Sequence, residues 1–170
     1  MKLLKNNVGV AVTLTVALLV TMLDVPSFLP DVLKYFSADL ALLVCYYWAT
    51  NRPDQISLVV PWSFGFFFDV LHAEPLGLNG LILSIVVFVG LNIPNRSNRP
   101  IVGYQLLGLF VLVIFAQITR LIAMQYVEFP VEVSILGSIW SIVATLLIWF
   151  IVVLVLDRLV ANESANVSFS

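Results

Sequence analysis

Charge is scarce in this chain. Lysine, arginine, aspartate and glutamate make up 11% of its 170 residues, against roughly 25% in soluble domains. Ligating side chains are scarcer still, with one histidine and one cysteine. A lone cysteine, Cys45, excludes an intrachain disulfide framework and reads as a small buried hydrophobe. One His and one Cys are too few donors for a zinc site. His72 has no Gly-x-Ser-Gly partner, so a serine–histidine protease is also unsupported. Eight basic residues against ten acidic ones give a net charge of −2. With no basic patch, nucleic acid is not an expected partner.

What is present in excess is apolar surface. Hydrophobic residues account for 61% of the sequence, more than one water-soluble core of this size can hide. A bilayer resolves the conflict. Lys2 and Lys5 before an apolar stretch look like the start of a signal peptide. That run ends in Asp24-Val25-Pro26 without a small-x-small cleavage site, so it reads as a retained first helix.

A spanning helix needs about 20 mainly apolar residues, with a range of about 17–25. Charges and Pro/Asn clusters divide the chain into six candidates, over residues 6–23, 35–50, 56–71, 76–93, 102–120 and 133–156, with a polar tail at 161–170. The second and third are short for a full span. Leu81–Leu91 and Leu146–Leu156 lack the alternation of barrel strands. The expected fold is therefore an all-α polytopic membrane protein: one membrane domain over residues 1–170 with six transmembrane helices. With the N-terminus inside, Lys2, Lys5, Arg52, Arg96, Arg99 and Arg158 lie inside, six of the eight basic residues. Lys34 and Arg120 lie outside. The positive-inside bias thus predicts that both ends are cytoplasmic.

Ionisable residues in spans are candidates for function, because a charge at the bilayer centre costs at least about 2.5–3.5 kcal/mol. Asp69, after Phe66-Phe67-Phe68, is the strongest. Two readings stay open: a polar anchor that pairs with a neighbouring helix or a partner, or a carboxylate wetted at the helix end. Arg120 either snorkels to the interface, the blander reading, or pairs with Asp69 or Asp39. Asp39 and Asp69 together invite an aspartyl-protease reading. The chain's length suits a lipoprotein signal peptidase, but the only Asp-Arg, Asp157-Arg158, falls at the cytoplasmic end of the last span. No catalytic residue and no cofactor is assigned. Ser134, Ser138, Ser141 and Thr145 share one face of the sixth helix, and Gly77, Gly80 and Ser84 form a shorter stripe on the fourth; both read as packing faces. Tyr46, Tyr47, Trp48 and Tyr104 fit an inner aromatic belt, while Trp62, Trp140 and Trp149 are expected between helices.

One stretch is more specific. Phe36-Ser37-Ala38-Asp39-Leu40 leads through Leu43 to Tyr47-Trp48, then Arg52-Pro53, Gly65, Phe66–Asp69, Leu71 and Leu76-Gly77. This order resembles the MreD family of bacterial rod-shape-determining membrane proteins. There an Arg-Pro-Asp/Asn motif opens the second helix, which ends in Tyr-Trp, and a Gly…Leu-x-Asp-Leu-x-x-Gly-x-x-Leu-Gly pattern joins the third and fourth. Ser37-Ala38 replaces the Arg-Pro, and His72-Ala73-Glu74-Pro75 replaces the Gly-Ser-type turn. Pro75 still supplies a turn before Leu76-Gly77.

The resemblance implies a fold similar to the S components of energy-coupling-factor transporters. It also implies a non-catalytic inner-membrane scaffold of the elongasome, serving rod shape and lateral peptidoglycan synthesis. Implied partners are MreC, RodA, a class B penicillin-binding transpeptidase, MreB indirectly, and membrane lipids. Candidate interaction or packing residues are Asp39, Tyr47, Trp48, Gly65, Asp69, Gly77 and Arg120. The alternative is a small-solute or lipid-binding transport component, for which Asn79 and Gln117 are the best interior groups.

Overall fold

The computed structural model describes residues 2–22, 39–71, 74–93, 102–126 and 135–167. Among them lie six α-helices: α1 (Lys2–Met22), α2 (Leu40–Asn51), α3 (Val59–Leu71), α4 (Leu78–Asn92), α5 (Val102–Tyr126) and α6 (Ile135–Val167). A 3₁₀ turn, Pro53–Gln55, follows α2. No strand occurs among the described residues. Two helices are long and apolar enough to cross a membrane by themselves, through Gln105–Ala123 and Gly137–Arg158.

α2 is the axis of the bundle. Every residue from Ala41 to Thr50 is buried, so this helix is apolar all round because it has no outer face. The surrounding helices bury one stripe each. On α1 it is Val10, Leu14 and Ala17, at helical spacing, while Val12, Val16 and Leu19 point outward. On α5 and α6 the outward residues are again large and apolar, among them Phe110, Val111, Phe150 and Leu154. A water-facing bundle would carry charge there. The apolar exterior identifies lipid as the medium of this protein.

Contacts along α2 fix the direction of its neighbours. Asp39, at its start, meets Arg120 late in α5 and Thr145 early in α6. Tyr46 and Tyr47, near its end, meet Gln105 early in α5 and Asp157 late in α6. Trp48 meets Gly9 in the first half of α1 and Thr13 at its middle. Ala49 lies against Gly90 near the end of α4. Asp69, near the end of α3, meets Gly77 at the start of α4, so even-numbered helices run one way and odd-numbered helices the other, and α1 begins and α6 ends on the side marked by Tyr47.

The sequence places several boundaries differently. Its second span begins at residue 35, but residues 35–38 lie outside the described ones. The third begins at Val59 rather than 56, and the fourth at Leu78 rather than 76. The fifth runs to Tyr126 and the sixth to Val167. Residues 161–167, expected as polar tail, are helical because no Gly or Pro interrupts them. The aromatic assignments also change. Tyr46, Tyr47 and Trp48 are core residues, not an interfacial belt, because α2 has no lipid-facing side. Trp62 and Trp140 face outward, at 50% and 40% exposure, and only Trp149 packs between helices as expected.

Candidate functional site

The site begins with two helix starts. α2 opens at Asp39, whose Oδ1 accepts the Leu42 N–H at 3.2 Å. Asp is a favoured N-cap because its carboxylate satisfies an orphan backbone donor. α4 opens at Gly77, in the left-handed region at φ +90, where a Cβ is disfavoured. This helix is capped from another helix. Asp69, near the end of α3, accepts the Gly77 N–H at 2.6 Å through Oδ2 and the Asn79 N–H at 2.9 Å through Oδ1. Its carboxylate is fully buried. Burial of a charge is tolerable here because two N–H donors and the positive end of α4 both favour the anion.

The two caps are joined through Asn79 and Arg120. Asn79 donates its Nδ2–H to Glu74 Oε2 at 2.6 Å, and its Oδ1 accepts from Arg120 Nη2 at 2.8 Å. The same Nη2 lies 2.7 Å from Asp39 Oδ2, and the Arg120 and Asp39 side chains are only 19% and 11% exposed. This is an ion-pair distance, but the atoms are off the N–H axis: among the described residues Asp39 Oδ2 and Arg120 Nε have no directional hydrogen bond. The Asp39 N–H donates to Thr145 Oγ1 at 3.2 Å, bringing α6 into the network. Gln117 Nε2 donates to Ser141 Oγ at 3.1 Å one turn away, tying α5 to α6.

Asp39, Asp69, Gly77 and Arg120 are thus brought together, as the sequence left open. Arg120 does not snorkel; it turns inward to Asp39. Asp69 is not wetted at a helix end; it reaches Arg120 through Asn79. Glu74 and Thr145 complete the network, and nothing in their spacing along the chain joins them to it. Asn79 and Gln117, the amides on which a solute site would rest, are both already bonded.

The network also lies deeper than the helix ends suggest. About 15 Å of α6 precedes Thr145 and about 9 Å of α5 follows Arg120, at ~1.5 Å per residue. It sits at the ends of the short helices and inside the long ones.

The remaining candidates lie elsewhere. Tyr47 donates its O–H to Asp157 of α6. Trp48 stands edge-on to Tyr47, with ring centroids 6.1 Å apart, and donates its indole N–H to Thr13 Oγ1 at 3.1 Å. Gly65 marks the crossing of α3 and α4, where a Cβ would lie 2.2 Å from Gly80 Cα. Asp157, set aside in the sequence as a helix-end residue, is what holds α6 to α2 at this level.

An extended run of residues matches one known family. Residues 5–159 match the family model described as rod shape-determining protein MreD. The chain belongs to the MreD family. That match reaches all six described helices and includes both caps, not only the stretch from Phe36 to Val89 that carries the motifs. It makes the chain a membrane protein of a cell-shape family, in agreement with the apolar exterior of the bundle. No curated protein and no solved structure matches the chain.

Proposed function

We propose that this chain is a non-catalytic scaffold of the cell-wall elongation machinery, spanning the bacterial inner membrane six times with both termini in the cytoplasm. The observation that carries the reading is the family match across residues 5–159. The site agrees with it. Each carboxylate in the network serves a helix start or Asn79 and Arg120, which is the use a scaffold makes of buried polar groups.

The topology draws on the alternating helix directions and on the distribution of basic residues. Lys2, Lys5, Arg52 and Arg158 belong to the Tyr47 end, whereas Arg120 belongs to the Asp39 end. The positive-inside rule then puts the Tyr47 end in the cytoplasm. In this reading the chain assembles with MreC, RodA and a class B penicillin-binding transpeptidase, reaches MreB indirectly, and has the S-component type of fold.

Depletion in a rod-shaped host tests the role, and round cells are the expected result. Persistence of normal rods would reject it. Co-purification from membranes tests the assembly: MreC and the transpeptidase are expected to accompany the protein, and recovery without either would reject the proposed partners.

A further inference from the structure

α5 and α6 meet the rest of the bundle differently from the way α1–α4 meet one another. Within α1–α4 two small-residue crossings bring helices close together, and at one of them backbone meets backbone. A Cβ on Gly65 would strike Gly80 backbone at 2.2 Å, and one on Gly90 would lie 2.6 Å from the Ala49 Cβ. Asp69 adds a cap from α3 to α4. Across to α5 and α6 the contacts are made by side chains: an apolar layer, in which Tyr46 stands edge-on to Trp149 with ring centroids 5.4 Å apart, and a set of polar links. Arg120 meets Asp39 and Asn79, Thr145 receives the Asp39 N–H, and Asp157 receives the Tyr47 O–H. Tyr46 donates to the Gln105 carbonyl at 2.7 Å. Gly108 does approach closely, but to the tips of the Tyr46 and Ile93 side chains rather than to backbone.

This difference matters in lipid. Acyl chains are as apolar as leucine, so helices associate through close packing and hydrogen bonds rather than through a hydrophobic drive. Where side chains rather than backbones meet, the polar links carry a larger share of the association. Four of these five links have their α1–α4 partner on α2 or its cap, and they cluster at its two ends.

We propose that α5–α6 is a separable hairpin, latched to α1–α4 by Asp39–Arg120 at one end of α2 and by Tyr47–Asp157 at the other. Releasing both latches swings the hairpin away from α2 and α4 while α1–α4 stays packed. The α5–α6 pair keeps its own tie through Gln117 and Ser141. The inference is independent of the proposed partners, since it concerns only how this chain holds itself together.

Spin-label distance measurements on the full chain in lipid nanodiscs test it, in a Cys45→Ala background. Labels at Phe88 on α4 and Leu154 on α6 report across the latch. Labels at Val70 on α3 and Leu81 on α4 report within the packed unit. All four side chains face outward. The latch-release variant is Asp39→Asn with Tyr47→Phe; asparagine keeps an oxygen to cap α2, and phenylalanine loses only the hydroxyl. The α4–α6 distribution is expected to shift to longer distance or gain a longer component, with the α3–α4 distribution unchanged. An unchanged α4–α6 distribution overturns the proposal, as does equal broadening of both pairs. Should the double variant not fold, Arg120→Gln with Tyr47→Phe releases the same two latches, and an α4–α6 distribution identical to the parent's overturns the proposal.

Discussion

The Arg120 guanidinium lies 2.7 Å from the Asp39 carboxylate, joining α5 to the first turn of α2 inside an otherwise apolar bundle. Loss of one partner leaves the other charge stranded in lipid-surrounded protein. Such a loss costs about 3–5 kcal/mol in a dry interior, and the partial exposure of both groups reduces it to on the order of 1–3 kcal/mol. Arg120→Ala and Asp39→Ala are each expected to destabilise the protein in mixed-micelle unfolding. The double variant should cost less than the sum of the two, because the groups are coupled. Strict additivity would show that the pair contributes nothing as a pair.

Asp69→Ala removes the acceptor for two backbone N–H groups at the start of α4. Leaving a buried donor unsatisfied costs about 1–3 kcal/mol, so the loss should exceed that of Glu163→Ala, a substitution in the last turns of α6. A complementation assay for rod shape, read beside the amount of folded protein, checks the ranking. Equal effects of the two substitutions would remove Asp69 from the network's essential members.

Two glycines are required for different reasons, and alanine separates them. Gly65→Ala places a Cβ 2.2 Å from Gly80 Cα, so α3 and α4 must move apart, at a cost of about 1–3 kcal/mol or more. Gly77→Ala meets nothing within 4 Å but must hold φ at +90, costing about 1–2 kcal/mol as local strain. Thermal unfolding is expected to show the larger loss for Gly65→Ala. Only that variant should change the α3–α4 distance.

Sidedness is open to a direct check. In a Cys45→Ala background, cysteine at Asp54, in the exposed turn after α2, is expected to react with an impermeant thiol reagent only from the cytoplasmic side. Cysteine at Leu76, 72% exposed beside the start of α4, is expected to react only from the opposite side. Reversed labelling would overturn the orientation, and labelling of both from one face would overturn the alternation of α3 with its neighbours.

Much of the site was readable as a set of residues and almost none of it as a set of bonds. Asp39, Asp69 and Arg120 stand out because charge is rare and expensive in an apolar run. Gly77 stands out because it follows Pro75 and Leu76 at a helix start. Glu74 gives no comparable signal, since an acidic residue near a turn is ordinary. Tyr46, Tyr47 and Trp48 were misread for a related reason. Aromatic residues near a span end suit the interface, and only burial on every side shows that α2 has no interface to offer.

The sequence by itself determined the medium, the helical class and the family. Each depends on quantities summed along the chain: apolar content, the absence of strand alternation, and the order of short motifs. The tertiary structure alone decided that Arg120 chooses Asp39, that Asp69 caps α4 rather than meeting water, and that Tyr47 holds Asp157. Those choices depend on which helix faces are adjacent and at what height. Helices that alternate in direction around a buried α2 set both, because they bring together groups that are remote along the chain.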